Sequence, residues 1–123
     1  MNRLPPSMIS DEDCLVWSMH TWEVSGDFAN PIINYLRFGY MPGSFFTALL
    51  TNDAMSMISH SHPSNTITAL KALVGWIREN MPPASYGTSE QVTFWNQLTN
   101  DQRRHHLVDR GLVKSAWEML KTT

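Results

Sequence analysis

With 123 residues the chain can bury a single core without disulfide or metal staples. A net charge of −2 excludes the global basic field of a nucleic-acid coat, and the single cysteine, Cys14, excludes an internal disulfide and fits a reducing compartment. No run approaches the ~18 consecutive apolar residues of a membrane span.

Charged residues make up only 16% of the chain, which also carries five Trp and eight Met. That composition leaves apolar surface for a partner or a second copy. The charge is uneven. Residues 1–62 hold two basic and six acidic side chains, and residues 63–123 hold seven basic and five acidic.

In chain order, residues 1–9 contain Pro5 and Pro6 and read as a flexible arm preceding one helical domain over 10–123. Ser10 reads as an N-cap. Asp11, Glu12 and Asp13 follow in the first turn, where carboxylates meet the positive helix end. Leu15, Met19 and Trp22 form an i, i+4, i+7 stripe, the helix runs to about Val24, and Ser25-Gly26 ends it. Asn30-Pro31 starts the next helix, with Ile32, Ile33, Tyr35 and Leu36 inward and Gly39 at its end.

After a turn at Pro42-Gly43, Ser44 caps a helix whose Phe45, Phe46, Leu49 and Leu50 give a wide apolar face, the expected centre of the core. Asn52 or Asp53 caps a short helix with Met55, Met57 and Ile58. Residues 60–63 break it. Ser64 or Asn65 caps the longest periodic run, Ile67, Leu70, Leu73, Val74 and Ile77, with Gly75 inside it and Pro82-Pro83 stopping it. Thr88 or Ser89 caps a helix with Val92, Phe94, Trp95 and Leu98. Thr99 or Asn100 caps another that ends at Arg110-Gly111, and a last helix spans 112–121. No period-2 run is good enough for a strand. The expected fold is all-α, a compact single domain of five to seven short helices.

Tyr35, Gly39, Pro42, Gly43, Phe46, Ala48, Leu50, Asn52, Asp53, Asn65, Pro82, Tyr86, Gly87 and Thr88 follow a recurrent order. In that order this chain resembles small proteins encoded by bacteriophages and integrated prophages, with one residue fewer in the Pro-Gly turn. The tail, from Phe94-Trp95 through Gln102-Arg103-Arg104 to Ala116-Trp117, is similar to C-terminal pieces of such proteins. The family has no agreed activity and no catalytic residues to transfer. The resemblance implies a mobile-element origin in a bacterium; separately, the lack of a long apolar run and the single cysteine make cytoplasmic residence the expectation.

Candidate chemistry is sparse. His60-x-His62 offers two imidazoles but no third ligand at a metal-binding spacing. Cys14 and His20, at i and i+6, do not face each other on a helix. No phosphate-binding glycine loop, Gly-x-Ser-x-Gly or His-Glu-x-x-His is present. The expectation is a protein that is not an enzyme and takes no cofactor, metal or small-molecule substrate.

The leading expectation is an accessory protein that occupies a host protein, in the manner of anti-defence and anti-CRISPR inhibitors. Its acidic face, Asp11, Glu12, Asp13, Glu23 and Asp27, would meet a basic surface, such as that of a nucleic-acid-binding defence complex. One alternative is a DNA-binding regulator, with a helix-turn-helix about Gly111. Arg103, Arg104, Arg110, Lys114 and Lys121 would then serve as its nucleic-acid contacts. A third reading is a self-associating, homodimeric assembly factor.

Overall fold

Side-chain caps and left-handed stops set the boundaries of nearly every element. The computed structural model describes residues 10–62 and 66–115 and, over them, is built from helices alone. They are α1 (Asp11–Thr21), α2 (Gly26–Phe38), α3 (Ser44–Leu50), α4 (Ala54–His60), α5 (Ile67–Asn80), a 3-10 turn (Pro83–Ser85), α6 (Ser89–Gln97) and α7 (Asn100–Asp109). The expected arm over 1–9 lies outside the described residues. So do Ser64 and Asn65, and all of 116–123.

Ser10, Ser25, Asp53, Thr66, Thr88 and Thr99 each accept a backbone N–H of the first turn that follows, satisfying donors the helix cannot. Thr99 and Gln102 form a full capping box. At the other ends, one motif recurs. Leu112 N donates to Leu107 O and Gly111 N to Val108 O, with Gly111 left-handed. Val24 and Glu23 repeat this at the end of α1, and Asp53 and Asn52 at the end of α3. Asn52 therefore closes α3 in a left-handed conformation while Asp53 opens α4, which accounts for the adjacent Asn-Asp pair.

Three expectations are corrected. The second helix starts at Gly26, not at Asn30. Ser25 Oγ caps it, burial of Phe28 draws the preceding turn in, and Pro31 sits inside the helix near its start. The residues Ser25-Gly26 thus begin a helix instead of ending one, and Glu23 provides the stop. α3 is not the centre of the core: only Ala48 and Leu50 of it are buried. Finally, residues 112–115 are not helical, because the left-handed stop at Gly111 turns Leu112 and Val113 back into the core. The helix-turn-helix layout does not form over 100–115.

The core is centred on α2. Its Ile32, Ile33, Tyr35 and Leu36 belong to one buried cluster with Leu15 and Met19 of α1, Leu73 and Trp76 of α5, Trp95 of α6 and Leu107 of α7. Long-range hydrogen bonds fix the registry. Trp95 Nε1 donates to Tyr35 O (3.0 Å), Tyr35 Oη to Ser85 O (2.7 Å), and Trp76 Nε1 to Ser18 Oγ (3.0 Å). Among the described residues no helix is long and apolar enough to cross a membrane.

The left-handed stops give a stability test. Glu23, at φ 60°, carries a strain that glycine lacks, so Glu23→Gly is expected to raise unfolding stability by about 1 kcal/mol. Asp53→Ala, which removes a cap, is expected to lower it. Urea unfolding followed by circular dichroism measures both, and opposite signs are the expected outcome.

Candidate functional site

The five acidic residues do not form one face. Asp11 is bound by Arg104 in a two-bond pair (2.9 and 3.1 Å). Glu12 and Asp13 are exposed at the start of α1, whereas Glu23 lies beyond its far end, roughly 15 Å along the axis from Asp13. Asp27 belongs to the first turn of α2. Asp11, Glu12, Asp13 and Asp27 thus stand at helix starts, where the backbone field favours a carboxylate.

The C-terminal cations hold the fold together. Arg103 is buried, donating from Nε to Trp95 O (3.0 Å), from Nη2 to Asn96 O (2.9 Å) and from Nη1 to Asn100 Oδ1 (2.7 Å). Its positive charge thereby closes the carbonyl end of α6. Burial pulls its pKa below the ordinary value, against a smaller opposing effect of Tyr35. Arg104 joins Asp11 to the Lys114 carbonyl (2.6 Å). Arg110 donates to the carbonyls of Asn80 (3.2 Å) and Glu79 (2.6 Å), closing α5 in the same way. Lys114 is buried, and Lys121 lies outside the described residues. These side chains do not present a row of phosphate contacts, because backbone carbonyls and one carboxylate already engage the three arginines.

The glycines and aromatics of the recurrent order between Tyr35 and Thr88 also have structural roles. Gly39 is left-handed, and a Cβ there would fall on the Arg103 guanidinium. Gly87 donates to Leu50 O (2.7 Å), and a Cβ there would strike Gln91 Oε1. Phe46 packs edge-on against Phe28 and Phe45. The pattern specifies a scaffold.

Cys14 is fully buried, and burial pushes its thiol pKa up, against a smaller pull from the Lys114 backbone N–H. That favours the inert thiol over a nucleophilic thiolate. His60 Nδ1 meets Ser56 O at 2.8 Å at the end of α4. Among the described residues no three or more His, Cys, Asp or Glu are grouped to share a metal ion.

Two concavities lie elsewhere. A groove of about 750 Å³ runs between α4 and α5, with Met57, Ile58, Ser61 and His62 along one side and Ile67, Leu70, Lys71, Val74, Gly75, Arg78 and Glu79 along the other. A second concavity of about 530 Å³ shares Met57, Val74 and Arg78 with it and extends toward Asn52 and Tyr86. No family model, curated protein or solved structure matches the chain.

Sequence reasoning missed this groove, although its signal was present. The buried residues of α5 are Leu73, Trp76, Ile77 and Asn80. At 100° per residue, Lys71, Gly75 and Arg78 stand on the opposite face, flanked by Ile67, Leu70 and Val74. The apolar run in this helix is therefore too wide for one core-facing stripe. α4 has no buried residue at all, and Met55, Ile58 and Ile67 are 85%, 65% and 73% exposed.

Two predictions follow from the buried polar groups. Arg103→Lys is expected to cost about 2–4 kcal/mol in urea unfolding, since an ammonium cannot satisfy three diverging acceptors and leaves buried carbonyls unpaired. For Cys14, the folded-state pKa lies above the unfolded one. The stability it contributes is complete below the ordinary thiol pKa of about 8.5 and is lost as pH rises toward the folded value. Tyr35, also raised by burial, adds the same trend at higher pH. Unfolding stability should fall above about pH 8.5, and Cys14→Ala should flatten the first part of that decline.

Proposed function

We propose that this chain is a non-catalytic accessory protein of phage or prophage origin that acts by occupying a host protein, and that it does so through the α4–α5 groove. The observation that carries this reading is the exposure of Ile58 and Ile67 beside a groove lined by Met57, Leu70 and Val74. Large apolar side chains clustered at a concavity are characteristic of protein-binding surfaces, and methionine suits them because its flexible thioether adapts to a partner. The arginines Arg103, Arg104 and Arg110 are engaged internally, which favours surface complementarity as the mechanism. The phage-like residue pattern supports the origin, and anti-defence proteins of the anti-CRISPR kind are the functional class it fits. Inhibition would be steric.

The acidic face is a less favoured interface. Asp11 is already paired, and the remaining carboxylates are split between the start of α1, the turn after it and the start of α2.

Ile58→Asp tests the proposal with little risk to folding, because Ile58 is exposed and surface substitutions usually change stability by less than about 0.5 kcal/mol. A tagged chain is used to capture partners from a bacterial lysate, with and without nuclease, and the partners are identified by mass spectrometry. The expected outcome is a protein partner that survives nuclease and is lost with Ile58→Asp. Capture of the same partner by the variant, or of nuclease-sensitive material alone, contradicts the proposal.

A further inference from the structure

The groove has the dimensions and chemistry of a seat for one helix. Both of its walls are helical faces. On α4, Met57 and Ile58 line it, with Ser61 just past the helix end, and on α5 Lys71, Gly75 and Arg78 are spaced i, i+4, i+7. The α5 wall is 14 residues long, about 21 Å, which matches a partner helix of similar length laid along it.

Charge narrows the choice of occupant. Lys71 and Arg78 are exposed, lie two turns apart on one line of α5, about 10 Å along the axis, and neither is in an ion pair among the described residues. Glu79 is the carboxylate of this groove and stands at its end. Two cations over an apolar floor are too few for a nucleic-acid backbone, where affinity grows with the number of neutralised phosphates. They suit a carboxylate pair carried by an otherwise apolar helix face.

Gly75 supplies an independent observation. A glycine in a helix interior destabilises it relative to alanine. Among the described residues nothing requires it: a Cβ would meet Trp22, at an ordinary contact distance of 3.9 Å. Yet Gly75 lies between Lys71 and Arg78 on the groove wall. Its missing side chain lets a partner approach the backbone closely.

We infer that the α4–α5 groove receives an amphipathic helix of a partner protein, with two acidic residues seven positions apart that meet Lys71 and Arg78 and an apolar stripe that crosses Gly75. This rests on the groove being the binding surface proposed above. A second copy of the chain does not supply such a helix, because no two of its eleven acidic residues are seven positions apart.

The probe is a fluorescein-labelled helical peptide with a leucine stripe and two glutamates seven apart, beside a counterpart with lysines in place of the glutamates. Fluorescence anisotropy against the full chain is expected to show micromolar binding of the acidic peptide and at least about tenfold weaker binding of the basic one. Combined Lys71→Glu and Arg78→Glu should invert that preference. Gly75→Ala should raise the melting temperature while weakening binding of the acidic peptide at least about fivefold, two effects that a merely structural glycine would not combine. Equal binding of the two peptides, no binding of either, or unchanged binding to Gly75→Ala overturns the inference. So does a dimer in sedimentation at micromolar concentration that Ile58→Asp dissociates, since the occupant is then a second copy. If Ile58→Asp abolishes capture of a cellular partner while the acidic peptide fails to bind, the groove stands as the interface and only the acidic-helix inference falls. If capture survives Ile58→Asp, the groove itself is excluded.

Discussion

The Arg103 guanidinium is the constraint on which the rest of the structure depends. It is buried without a carboxylate among its hydrogen-bond partners, and three acceptors from the end of α6 and the start of α7 hold it in place. Arg103 bonds the carbonyl of Trp95, whose indole in turn bonds the carbonyl of Tyr35. The Tyr35 hydroxyl then reaches Ser85. In this way α2, the 3-10 turn, α6 and α7 are fixed to one another by directional bonds in a region that water does not screen, where each bond is strong and each loss costly. Gly39 belongs to the same arrangement, because the chain leaves α2 directly against the guanidinium.

That arrangement bears on function. A chain with few charged residues has engaged its C-terminal arginines in closing helix ends and tying α1, α5 and α6 to the tail. The polar residues that look most like a site from their pattern are thus part of the scaffold. The scaffold leaves large apolar side chains outward, Met55 and Ile58 on the short helix α4 and Ile67 on α5, beside the exposed Lys71 and Arg78. Binding through that surface is consistent with the low charge and the methionine content of the chain.

Much of the fold was legible in the sequence because it is set by local chemistry. Caps such as Ser10, Asp53, Thr88 and Thr99 and stops such as Gly39 and Gly111 act within one turn of their own position, so a linear reading finds them. What depended on tertiary context was not legible. Glu23 takes a left-handed conformation that local preference disfavours, and the cap of α2 is Ser25, five residues before the expected Asn30. Phe45 and Phe46 look central but pack at the edge against Phe28. The same limit applied to the candidate site. Charge alone cannot distinguish an arginine that faces phosphate from one that faces a buried carbonyl, and periodicity alone cannot show that some apolar residues of α5 line a groove and not the core.

Hydrogen–deuterium exchange of the chain, free and bound to its captured partner, tests the central claim most directly, because it reports protection along the whole backbone at once. The account predicts added protection in residues 54–62 and 66–79, with residues 11–27 and 100–110 unchanged. Protection confined to 11–27 or to 100–110, with the α4–α5 groove exchanging as in the free protein, would contradict it.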